Sequence, residues 1–262
     1  MSERIALAIR YDGARYHGWQ AQHGLPTVQG AVEKAISSVA NHGIRVVCAG
    51  RTDAGVHASA QIAHFDTSSE RSDKSWVFGA NSNLPSDISV LWAKPVERDF
   101  HARFSATART YRYLIYNHPV RPGILRHAVG WHHKHLDEKL MQEAGQHLFG
   151  QHDFSSFRGS GCEAKSPNRN LSCLSVKRRG RMLIIEVKAN AFLLHMVRNL
   201  VGVLITIGSG SKPPIWAKEV LEARDRCAGA MTIAPNGLYL VVVDYPQSYA
   251  LPESPVGPFF LA

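Results

Sequence analysis

Residues 4–11 alternate. Ile5, Leu7, Ile9 and Tyr11 fall on one side of an extended chain, with Arg4 and Arg10 on the other, which is the two-residue period of a strand. Thr27 has the character of a helix N-cap, and Val28, Ala31, Val32, Ala35, Ile36 and Val39 after it form the apolar stripe of an amphipathic helix. The same reading predicts strands over residues 45–49, 61–66 and 88–94, and a short helix over 74–81. In the second half it predicts a strand at 109–117, a helix at 136–149, and a hairpin of 171–177 with 181–189 turning at Arg179-Gly180. Helices at 192–207 and 215–223 and a last strand at 238–245 complete the pattern. Strands and helices mixed in this way, with hairpins, indicate an α+β fold whose sheets carry helices on one face. The chain divides loosely into halves at 1–103 and 104–246. A Pro-rich tail, 247–262, has no periodicity and is expected to wrap the surface or to be mobile.

Composition narrows the picture. A chain of 262 residues suffices for one large domain or two small ones, and 45% hydrophobic residues allow a sizeable core. Charged residues at 19% argue against a disordered chain. Thirty Lys and Arg against 21 Asp and Glu leave a net charge of +9, which favours polyanionic partners. Cys48, Cys162, Cys173 and Cys227 form no CxxC pair, as expected of reduced thiols in a cytoplasmic protein. The opening residues read as a strand, not a secretion signal. The most apolar stretch, 192–207, is too short and too polar to span a bilayer.

Few segments carry candidate chemistry. In Gly50-Arg51-Thr52-Asp53-Ala54-Gly55-Val56-His57, two glycines bracket an arginine and a carboxylate between two strands. Such a carboxylate stays ionised beside its arginine and serves as nucleophile or base; the alternative is an Asx-type turn in which Asp53 caps its own backbone. Arg198 lies in the middle of the apolar 192–207 helix, and a buried guanidinium there requires an acidic partner, catalytic or merely structural. Arg109, Tyr111, Arg112, Tyr113 and Tyr116 interleave aromatics with cations, a pattern suited to bases and phosphates, although strands favour tyrosine anyway. The run Trp131-His132-His133-Lys134-His135 lacks further ligands at metal-like spacing, so no metal is expected. No phosphate-cradling glycine motif opens a helix, so no nucleotide cofactor is expected either.

Together the motifs resemble the TruA-type tRNA pseudouridine synthases. The resemblance rests on Tyr11-Asp12-Gly13, Tyr16-His17-Gly18-Trp19-Gln20, Thr27-Val28-Gln29-Gly30 and the stretch from Ala49 to Ala58. It continues through Phe100-His101-Ala102-Arg103-Phe104-Ser105-Ala106, Arg109-Thr110-Tyr111-Arg112-Tyr113 and His152-Asp153-Phe154-Ser155-Ser156-Phe157. His195-Met196-Val197-Arg198-Asn199 and Ala234-Pro235-Asn236-Gly237-Leu238-Tyr239-Leu240 complete it, in the family's order along residues 4–245. The resemblance implies that Asp53 is the catalytic aspartate, Tyr111 stacks on the target base and Arg198 pairs with the aspartate. It implies that Arg51 helps flip the base and that Leu238 packs near the flipped uracil. It further implies two RRM-like (ferredoxin-like) halves with joined sheets and a cleft between them, and a homodimer needing no metal and no cofactor. The substrates it implies are uridines of the tRNA anticodon stem-loop at about positions 38 to 40, which must be unstacked to react. A pseudouridine synthase with another RNA target, a non-catalytic RNA-binding module and a metal-dependent nuclease are the competing readings.

Overall fold

The computed structural model describes residues 2–254 and 256–261; Pro255 and Ala262 of the tail lie outside them. In chain order the first part holds β1 (Glu3–Tyr11), α1 (Val28–Ala40), β2 (Val47–Cys48), β3 (His57–Thr67), α2 (Asp73–Asn83) and β4 (Ile88–Val96). The chain continues through β5 (Ala108–Asn117), β6 (Gly130–His132), α3 (Glu138–Gln146), β7 (Gly150–Asp153), β8 (Asn168–Arg179) and β9 (Met182–Ala189). It ends with α4 (Met196–Gly208), α5 (Trp216–Ala223) and β10 (Leu238–Asp244). Mixed sheets and helices make this an α+β fold. The chain forms two compact units, Met1–Ala108 with Tyr239–Ala262, and Arg109–Leu238. Chain order alone places the last strand in the second half, whereas contacts group Tyr239 onward with the first unit.

In the first unit β1 lies between β4 and β3, antiparallel to both, and β10 runs parallel to β3 at Tyr239 and Leu240. Thr27 caps α1 as its pattern predicts, its hydroxyl accepting the Gly30 N–H at 3.3 Å. α2 brings the buried Trp76 edge-on to Phe65, on the face of the sheet that also carries Ile5. The opposite face is covered too. Ala6, Ala8 and Ile62 pack there with Ala49, Phe100 and Ala102, and Tyr245, Tyr249 and Leu251 cover them. Residues 5–9 are therefore buried without alternation; the small side chains of Ala6 and Ala8 suit the covered second face.

The end of the β10 strand region and the tail after it pack on this unit. Tyr245 OH donates to Ala102 O at 2.6 Å, Trp92 Nε1 to Ser254 Oγ at 3.1 Å, and Tyr249 meets Phe100 edge-on.

In the second unit β7, β8, β9 and β5 pair in that order, all antiparallel, and β6 adds a parallel partner to β5. Gln142 of α3 fastens the helix to β8, donating to Leu174 O at 3.3 Å and accepting the Val176 N–H at 2.7 Å. α4 begins at Met196, later than the apolar run suggests. His195 takes a left-handed conformation (φ 59°), which breaks the helix on its N-terminal side. Arg198 consequently sits in the first turn of α4, half-buried, and not in its middle. Among the described residues no helix is long and apolar enough to cross a membrane.

Candidate active site

Asp53 lies in the connection between β2 and β3, half-buried, with the exposed Arg51 two residues before it. The loop is held at several points by the first unit. At its start Gln61, fully buried on β3, clamps Gly50 in both directions: Gln61 Nε2 donates to Gly50 O at 2.6 Å and Gly50 N–H to Gln61 Oε1 at 3.3 Å. In its middle Thr52 Oγ1 and Tyr11 OH share a buried hydrogen bond of 2.8 Å, and Trp19 N–H donates to Thr52 O. Gly55 N–H donates to Tyr16 O, and the turn closes with Val56 N–H on Asp53 O at 3.1 Å.

Two glycines make this close approach possible. A Cβ on Gly18 (φ 85°) would stand 2.6 Å from Thr52 O, and one on Gly13 only 1.9 Å from Val56 O. Such approaches exclude every residue with a side chain.

His57 ends the loop and is almost fully buried. Its Nδ1 lies 2.9 Å from Asp12 Oδ1 and 3.1 Å from the Gly13 N–H, and its ring stacks on Tyr239 at 4.6 Å. Nδ1 serves Asp12 when it carries a proton and accepts from Gly13 when it does not. Burial pushes the nearby Cys48 thiol up to about 12 against the lowering pull of Arg51, which disfavours the thiolate that a nucleophile needs.

The other predicted residues belong to the second unit, where residues 233–238 form a node. Ile233 O accepts from Arg198 Nε at 2.8 Å, Ala234 O from Tyr113 OH at 2.9 Å, Pro235 O from Leu238 N–H and Gly237 O from Leu114 N–H, both at 2.9 Å. Leu238 is buried at the start of β10. Tyr111, two residues before Tyr113 on β5, is buried and meets Phe192 edge-on at 5.1 Å. Desolvation raises the Tyr113 hydroxyl above its ordinary range while the Arg198 charge opposes that rise, so the guanidinium acts electrostatically on this node.

Asn199, the residue after Arg198, is buried and ties the node to its surroundings. Its Nδ2 donates to Phe157 O at 2.8 Å, and its Oδ1 accepts from Thr232 Oγ1 at 2.6 Å and Arg226 Nη2 at 3.1 Å. Arg198 and Leu238 thus share a node that continues into β5, where Tyr111 lies, while Asp53 and Arg51 share a loop of the other unit.

Asp12, His57, Gln61 and Asn199 are supporting residues that reading the sequence for chemistry passed over. Asp12, His57 and Asn199 stand inside the motifs. Gln61, a polar side chain in an otherwise apolar strand, was the visible sign of a buried hydrogen bond. Among the described residues no three His, Cys, Asp or Glu side chains gather as metal binding requires.

Residues 7–105 and 144–246 match the family model described as tRNA pseudouridine synthase. Over 258 residues the chain is 66% identical to tRNA pseudouridine synthase A of Coxiella burnetii (strain Dugway 5J108-111), covering 98% of this chain and 99% of that one. It is 54% identical to tRNA pseudouridine synthase A of Alcanivorax borkumensis over 259 residues, 98% of this chain and 97% of that one. With tRNA pseudouridine synthase A of Vibrio cholerae (strain O395) the identity is 55% over 258 residues, 98% of both chains. Arg51, Asp53, Arg198 and Leu238 fall within the matched segments, and Tyr111 falls between them.

Proposed function

The chain belongs to the tRNA pseudouridine synthase family, and from that premise we propose that it isomerises uridines of the tRNA anticodon stem-loop, with Asp53 as the catalytic residue. The observation that carries this reading is the loop at Asp53, a half-buried carboxylate on a backbone clamped by Gln61, Thr52, Gly13 and Gly18. Preorganisation of this kind is what a catalytic carboxylate needs.

The reaction breaks the bond from uracil N1 to ribose C1′, turns the base and joins C5 to C1′. C5 loses a proton and N1 gains one, so atoms balance without an electron donor or an energy donor. The target base must leave its stack at a cost of a few kcal/mol, roughly. Stacking on Tyr111, worth about 1–3 kcal/mol, offsets part of that cost. Arg198 pairs with Asp53 and keeps it a carboxylate, Arg51 helps flip the base, and Leu238 packs near the uracil. Uridines at about positions 38 to 40 are the targets that the family resemblance implies, bases that must be unstacked to react. The fold is of the RRM-like kind that the family resemblance implies, and the working form is a homodimer engaging one tRNA with both subunits. Four cysteines held as free thiols suit a cytoplasmic setting.

The test is incubation with unmodified tRNA transcript, followed by mapping of pseudouridine along the RNA. Pseudouridine should appear in the anticodon stem-loop with the wild-type protein. Asp53→Asn should fold and bind tRNA yet form none. Substantial turnover by that variant would remove Asp53 from its role, and modification confined to another region would overturn the choice of target.

A further inference from the structure

The segment between β5 and α3 has no part in the site described above, and it lies outside the two family-matched stretches. No Asp or Glu occurs between Asp99 and Asp137. Within residues 118–135, Arg121, Arg126 and Lys134 are exposed, as are His127, His133 and His135. Large apolar side chains stand exposed among them: Ile124 at 86%, Val120 at 66% and Trp131 at 46%. Exposed apolar groups interleaved with positive charge mark an interaction surface more than a solvated loop.

This surface is fixed in place. Trp131 Nε1 donates to His118 O at 2.8 Å, and β6 pairs with β5. Asn117 Nδ2 donates to His132 O at 3.0 Å and Lys134 O at 2.5 Å, while its Oδ1 accepts the Leu136 N–H. The segment is also pinned to the node that carries Leu238. Asn236 Nδ2 donates to Arg126 O at 3.4 Å, and Gly237 (φ 93°) comes so close that a Cβ would lie 2.6 Å from Gly130 N.

We propose that residues 118–135 dock the sugar–phosphate backbone of the substrate tRNA next to the reacting nucleotide. This rests on tRNA being the substrate. Charge selects the occupant. Phosphates give Arg121, Arg126 and Lys134 a counter-charge each, and the exposed Trp131 suits a ribose or base face. A second copy docked on the same face about a two-fold axis would bring one cationic patch against another.

The experiment compares wild type with Arg121→Glu/Arg126→Glu/Lys134→Glu. It measures KM and Kd for tRNA transcript across a salt series, with circular dichroism as the folding control and sedimentation for the oligomeric state. The variant's Kd should rise on the order of tenfold or more at moderate salt, and the slope of log Kd against log salt should fall by about 2–3. If the triple variant does not fold, Arg121→Gln and Arg126→Gln separately should each lower the slope by about 1. Unchanged affinity and slope would overturn the proposal. So would loss of dimer with tRNA affinity intact, which assigns the face to a second copy. Absence of pseudouridine from wild type would instead overturn the assigned reaction, because the Kd measurements do not depend on turnover.

Discussion

Arg198 lies in the first turn of α4, nearer the helix start than a reading of the chain alone suggests. An arginine in an apolar helix calls for a carboxylate, yet at least one of its donors, Nε, goes to a backbone carbonyl, Ile233 O. That bond fixes the position of the guanidinium, whose charge is proposed to act on Asp53. Arg198→Leu should lower single-turnover pseudouridine formation on the order of 10²-fold, the scale seen when a preorganised electrostatic partner is removed. Arg198→Lys should recover only part, because an ammonium lacks the planar fork. Wild-type rates in the Leu variant would exclude the pairing.

His64 offers a pH test at the same scale. Its Nδ1 accepts the Ala102 N–H at 3.1 Å, so that nitrogen carries no proton in the folded protein. Burial above all, then the charges of Arg4 and His101, push its pKa from about 6.5 down to about 4. The folded ring therefore resists a proton that the unfolded ring accepts. Its contribution to stability is complete above pH 6.5 and is lost as pH falls toward 4. The melting temperature should drop across that window. His64→Gln, whose amide oxygen can accept the same N–H, should reduce the drop by about 2–4 °C for each kcal/mol involved. Parallel melting curves for the two proteins would rule this out.

At the level of elements, the first turn of α4 acts as an anchor more than as a length of helix. Asn199 binds Phe157 O, Thr232 and Arg226, and its neighbour Arg198 binds Ile233 O. These bonds hold the segment that leads to Leu238. Asn199→Leu keeps the apolar character of the helix but strands buried polar groups at about 1–3 kcal/mol each. Urea unfolding should show a loss of stability of that order, and turnover should fall further than stability as the node loosens. A variant as stable as wild type would mean that water replaces the amide without cost. The loop between β2 and β3 follows the same logic. Gly13, Gly18 and Gln61 stand at fixed places because this loop meets them, while β2 itself shrinks to Val47–Cys48.

For the whole molecule, the net charge of +9 governs encounter with RNA more than it governs the fold. Affinity for tRNA should fall steeply between about 50 and 200 mM salt, as counterion release requires. Filter binding over that range measures it, and a flat response would show that few phosphates are contacted.

Much of this protein was legible from the order of its residues. Periodicity marked β1, α1, β5 and the β8–β9 hairpin, because the side of an element that faces a core is written in local spacing. The motif around Asp53, together with its companions along the chain, marked the loop and the family. What spacing does not encode is which distant group meets each element. The start of α4 at Met196 depends on a left-handed His195. β6 and β7 are three and four residues long, too short to leave a pattern, and exist because longer strands lie beside them. The tail packs over Ala6 and Ala8, burying the second face of β1. Tyr239 and the residues after it join the first unit although they come last in the chain. The sequence by itself determined the elements, the candidate chemistry and the family, since these depend on local pattern and residue identity. Tertiary structure alone decided the partners of Gln61, His57, Arg198 and Asn199, because hydrogen bonds between remote segments depend on where the chain returns.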